Sequence, residues 1–185
     1  MSRIMRRIQD LLPLLVVGVL SACASHPPGY SAWMANAPRY PGLSCAPFAR
    51  SLSGIALSGD AADWWGEAAS RYARDRRPMV GGVLVFRRSY RLPSGHVSVV
   101  SRVLGPRQIQ VIQANWEPEV LDVDQLIVDV SPANDWSEVR VWYPPINQIG
   151  STVYATYGFV LPDRPASHEM LAGASRRAAL YATGG

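Results

Sequence analysis

Residues 81–116 read GGVLVFRRSYRLPSGHVSVVSRVLGPRQIQVIQANW, and this stretch decides the fold. Runs rich in Val, Ile and Phe at 83–86, 96–103 and 108–114 are separated by Pro, Ser and Gly, the pattern of strands joined by turns. Gly105-Pro106 makes a tight connection between the second and third runs. Similar runs recur downstream at 139–143 and 158–161. Upstream the pattern is helical. Ser44 can cap a helix that has Cys45 in its first turn, and Pro47 is tolerated there because its missing N–H would lack an intrahelical partner anyway. A second helix is expected after Asp60, where Ala61, Trp64, Trp65, Ala68 and Tyr72 recur at helical spacing and Pro78 closes the segment. Helices first and sequential strands after predict an α+β fold, with N-terminal helices packed on an antiparallel β-sheet.

The start of the chain reads as an address. Arg3, Arg6 and Arg7 form a basic region, followed by an apolar run at 11–20 interrupted only by Pro13. Ten helical residues rise about 15 Å, half of the roughly 30 Å hydrocarbon core, so a signal-peptide segment is expected rather than a span. Leu20-Ser21-Ala22-Cys23 resembles a bacterial lipobox, which makes Cys23 the expected lipidation site; Ala22-Cys23-Ala24 also reads as an ordinary signal-peptidase site. Several acyl chains would hold the protein stably on a membrane. Ala24 in place of Asp favours the periplasmic face of the outer membrane, by analogy with enteric bacteria, with secretion to the periplasm as the other outcome. The expected organisation is a lipoprotein-type signal peptide at 1–22, a Pro/Gly/Ser-rich tether at 23–43, one domain at 44–162, and a tail at 163–185 that carries no recognisable chemistry.

Charge narrows the partners. The chain carries a formal +4, but 15 basic and 13 acidic residues remain beyond position 22, a net +2. That balance gives no support to a nucleic-acid partner. Three scattered histidines and two cysteines show no metal-ligand spacing, so neither a metal nor another cofactor is expected.

The chemistry-bearing residues are few. A thiol at a helix N-terminus meets free N–H groups and the positive end of the dipole, which favour a thiolate and an oxyanion alike. Cys45 has that placement. A nucleophilic thiol needs a base, and His96 is the one histidine inside the expected core, since His26 falls in the tether and His168 in the tail. A third group should orient the imidazole. Ile109, Val111, Gln113 and Asn115 share one strand face, and the polar Gln113 and Asn115 need partners there.

The array Cys45-Ala46-Pro47-Phe48-Ala49-Arg50, Gly82-Val83-Leu84-Val85-Phe86, Gly95-His96-Val97-Ser98-Val99-Val100 and Gln113-Ala114-Asn115-Trp116 resembles a CHAP domain. The resemblance covers roughly residues 44–162. It implies a papain-like fold in which Cys45 is the nucleophile, His96 the base, Gln113 the third catalytic position and Asn115 a supporting one. Gln113 departs from the acid often found in the family, and Pro47 replaces an aromatic-rich start. The implied activity is hydrolysis of peptidoglycan amide bonds through a thioester, as an N-acetylmuramoyl-L-alanine amidase or an endopeptidase. Trp65 and Trp116 are candidate substrate-binding residues, peptidoglycan is the expected partner, and the chain is expected to be a monomer. The alternative is a non-catalytic peptidoglycan-binding lipoprotein with a degenerate cleft.

Overall fold

The computed structural model describes residues 35–164 and 166–182. Cys23 and the expected signal segment lie outside the described residues. Among the described residues there are eight strands: β1 (Ala73–Asp75), β2 (Val83–Phe86), β3 (His96–Gly105), β4 (Gln108–Ala114), β5 (Leu121–Asp129), β6 (Glu138–Tyr143), β7 (Gln148–Ile149) and β8 (Tyr154–Leu161). The helices are short: α1 (Cys45–Ser53), α2 (Trp64–Glu67), α3 (His168–Ala172) and α4 (Ala174–Ala182).

The expected α+β, papain-like arrangement of helices packed on a sheet is not what forms. β2 pairs with β3, β3 with β4, β4 with β5, β5 with β6, and β6 with β8, which returns to β2. Six strands thus close into a mostly β barrel, every pairing antiparallel. Closure is made by Glu138 opposite Ala155 and Val139 opposite Tyr154. The sequential runs at 83–114 fit an open sheet and a barrel equally well. What separates the two is whether the last strand reaches back to the sixth, and that is a long-range property.

Two apolar clusters explain why β2 is buried along its whole length. Val83 and Val85 face outward with Val97, Val99, Ile112 and Ala114, against Phe48 and Leu52 of α1 and against Trp64. Leu84 and Phe86 face inward with Val100, Ile109, Val111, Ile127, Trp136 and Phe159. The period of two therefore sorts one strand between a barrel interior and a helical cover.

The expected helix after Asp60 is broken into a 3-10 turn (Ala61–Asp63), the single turn of α2, and a second 3-10 turn (Ala68–Ser70). Its apolar spacing is real, with Ala61, Trp64 and Ala68 in the core. Gly66 in the middle lowers helical preference. The arginine-rich exit becomes edge strand β1 on β8. The last residues of the expected tether lie against the barrel: Arg39 bridges to Val120, Tyr40 N–H donates to Glu119 O, and Leu43 is buried.

Candidate active site

α1 begins at Cys45 after Ser44 in extended backbone. Ser44 occupies the cap position through its carbonyl, which accepts from Phe48 N–H, but its hydroxyl makes no capping bond. First-turn N–H groups consequently stay available for the thiol. The N–H groups of Val97, Ala46 and Cys45 itself are directed at the sulfur and favour its anion, while burial acts more strongly and pushes the thiol above its ordinary value of 9.0. Val97 directly follows His96, so the helix tip rests on the strand start that carries the imidazole. Cys45 is a free, half-buried cysteine.

His96 opens β3 directly after Gly95, which adopts φ +72. A Cβ on Gly95 would lie 2.6 Å from Ala62 Cβ and 2.8 Å from Phe86 O, so glycine alone lets the turn approach the 61–63 segment. Ala62 N–H donates to Ser94 O across that contact. Arg88 reinforces it from outside, pairing with Asp60 at 2.8 Å and Asp63 at 2.6 Å.

The imidazole is 3% exposed. Burial drives its pKa from 6.5 down to about 4, partly opposed by the hydrogen bond to Gln113. Nε2 lies 3.1 Å from Gln113 Oε1, and Ser98 Oγ donates to the same oxygen. Gln113 Nε2 donates to Gln125 Oε1, and Gln125 Nε2 donates to the Trp142 carbonyl at 2.9 Å. Trp116 sits edge-on to His96 at 5.0 Å between ring centroids and to Tyr154 at 5.0 Å. Beyond Trp116 opens a cleft of about 460 Å³ lined by Arg91, Glu117, Tyr143, Thr152 and Tyr154.

Of the residues singled out from the sequence, His96, Gln113 and Trp116 converge here, and Cys45 reaches the strand start beside them through the N–H of Val97. Asn115 is placed differently. It is exposed, adopts φ 61, and its Oδ1 accepts from Glu119 N–H at 2.9 Å, which shapes the β4–β5 turn. Trp65 stacks on Tyr157 at 5.9 Å with the Arg74 guanidinium over its ring, on the outer face of β8 beside Gly158. Ser98 and Gln125 escaped the sequence reading. Ser98 was findable, two residues from His96 and therefore on its face. Gln125 was not, because the polar residues of LDVDQLIVD at 121–129 break the period of two that marks a strand.

The CHAP domain family model matches residues 35–115. The CHAP match contains Cys45, His96 and Gln113 and ends just before the chain enters β5. CHAP domains are typically cysteine- and histidine-dependent amidohydrolases, a family tied to peptidoglycan hydrolysis. Neither curated proteins nor solved structures give a match to the chain.

Proposed function

We propose that this chain is a CHAP-type amidohydrolase that cleaves amide bonds in peptidoglycan. One observation carries the proposal: a thiol at a helix tip lies against the strand residue next to a buried imidazole, inside the span of the CHAP match. The pKa directions make the resting pair a neutral thiol and a neutral imidazole. His96 accordingly takes the Sγ proton as sulfur bonds to the carbonyl carbon, rather than standing beside a preformed thiolate. N–H groups at the start of α1 stabilise the oxyanion. Collapse of the tetrahedral species breaks the C–N bond, the imidazolium protonates the leaving amine, and a thioester remains. Water, deprotonated by His96, then releases the acid and restores the thiol. The cleft beyond Trp116, with aromatic rings beside Arg91 and Glu117, suits a peptide bearing charges of both signs.

The proposal includes export. The apolar run and Leu20-Ser21-Ala22-Cys23 support a lipid anchor on Cys23 at the cell envelope. No helix among the described residues is long and apolar enough to cross a membrane.

The test is digestion of purified sacculi by the chain from residue 24 onward, with mass analysis of released fragments and Cys45→Ala as control. Fragments from the parent and none from the variant are expected. Equal release by both forms would end the catalytic assignment. A second reading, a non-catalytic peptidoglycan binder, draws on the uncharged Gln113 and the raised thiol. It is separated by alkylation. A working pair should alkylate at Cys45 at least about tenfold faster than its His96→Ala variant, because the imidazole assists thiol ionisation.

A further inference from the structure

The hydrogen bonds around His96 form a chain across four neighbouring strands, with one side chain from each of three and a backbone carbonyl from the last: His96 on β3, Gln113 on β4, Gln125 on β5, and the Trp142 carbonyl on β6. Such a chain has a direction, and only its far end sets it. A backbone carbonyl accepts and never donates, so Gln125 must turn its NH2 toward Trp142 and its oxygen toward Gln113. Gln113 must then present NH2 to Gln125 and oxygen to His96. Facing that oxygen, His96 Nε2 must carry the proton, which leaves Nδ1 with its lone pair.

The partners nearest the ring do not impose this. A flipped Gln113 could donate its NH2 hydrogens to Ser98 Oγ and to a deprotonated Nε2, because a hydroxyl and an imidazole nitrogen both accept as well as donate. That arrangement would put the proton on Nδ1. Gln125 breaks the tie. It reaches this position through a bulge. Gln113 pairs with Asp122 while Val111, two residues earlier on β4, pairs with Gln125 three residues on, and Asp124 absorbs the extra residue at φ 55. Without the bulge, strict alternation would send Gln125 to the face opposite Asp122.

We infer that Gln125 is a positioning residue that selects the Nε2–H tautomer of His96 through Gln113, without touching the ring. Its catalytic consequence rests on the hydrolase proposal; the tautomer itself does not. The experiment is long-range 1H–15N NMR of histidine-labelled protein at pH 7, with the His96 signals identified by their loss in His96→Ala. Wild type should show protonated Nε2 and unprotonated Nδ1. Gln125→Met should move both nitrogens toward averaged shifts of mixed tautomers, and should lower kcat roughly ten- to a hundredfold with little change in KM. Gln125→Glu should keep the wild-type pattern, because it still offers an acceptor to Gln113. If Gln125→Met does not fold, Gln125→Leu replaces it, and the wild-type spectrum remains decisive by itself. An Nδ1–H tautomer in wild type, or an unchanged tautomer in a folded Gln125→Met, overturns the inference. Loss of the hydrolase proposal through an active Cys45→Ala would leave the NMR result standing.

Discussion

His96 is held neutral by burial, its pKa brought down to about 4 from 6.5. In the unfolded chain it binds a proton through that interval and in the folded chain it does not. Stability from this group is therefore complete above pH 6.5 and is lost as pH falls toward 4. Asp122, opposite Gln113 on β5, works the other way. Burial and the nearby Glu117 charge raise its pKa from 3.8 to about 7, and its Oδ2 is buried without a hydrogen-bond partner. The neutral acid tolerates that environment far better than the anion. The stability it contributes is full below pH 3.8 and is lost as pH rises through 7. Between pH 4 and 6.5 the two groups nearly offset. Asp122→Asn removes the second effect, so the variant should match wild type near pH 4 and exceed it at pH 8 by on the order of 2 kcal/mol. Urea unfolding at the two pH values measures this. The same difference from wild type at both would refute the buried-acid account.

At the scale of elements, the turn before β3 aims the imidazole. Gly95→Ala must move either Ala62 or the Phe86 carbonyl, and it strains a positive φ besides. A loss of about 1–3 kcal/mol is expected, with His96 displaced as the turn shifts. Thermal unfolding gives the first quantity and Cys45 alkylation rate the second; a variant as stable as wild type would show that the turn relaxes freely. The elements nearest this turn were the legible ones. The Val-rich runs of β2, β3 and β4 and the Ser44–Cys45 helix start follow from local pattern, whereas strand alternation offers both Gln113 and Asn115 as partners for His96 and only the fold chooses Gln113. β5 was not legible. In LDVDQLIVD the polar Asp122, Asp124 and Gln125 interrupt alternation because a bulge shifts the register there. Three polar side chains close together read as a loop, whereas two of them point into the barrel. The broken helix at 61–70 is the converse case, where apolar spacing survives but tertiary contacts with β2 and β8 replace regular helical geometry.

Closure of the barrel belongs to the whole molecule, and so does support for the helix that carries Cys45. The CHAP match stops at residue 115, yet β5, β6 and β8 complete the barrel and supply Gln125 and the Trp142 carbonyl. The C-terminal residues add a second brace. Leu171, Ala174 and Ala178 are buried in the cluster that contains Phe48 and Leu52 of α1, and Ala166 sits so close to Gly81 that a Cβ there would lie 2.7 Å from it. The barrel pairings are complete by Leu161, so a chain ending at residue 163 keeps every strand and loses only this brace. Exposing one leucine side chain and several alanine methyls, together with the α1 surface they cover, should cost about 3 kcal/mol. The midpoint of urea unfolding should fall accordingly while the far-ultraviolet β signature persists. Because α1 loses its outer support, Cys45 should also become more accessible to alkylating reagents, even as α1 remains the wall over β3 and β4. An unchanged midpoint would mean that α3 and α4 rest on the barrel without holding it, and that α1 is kept in place by the strands alone.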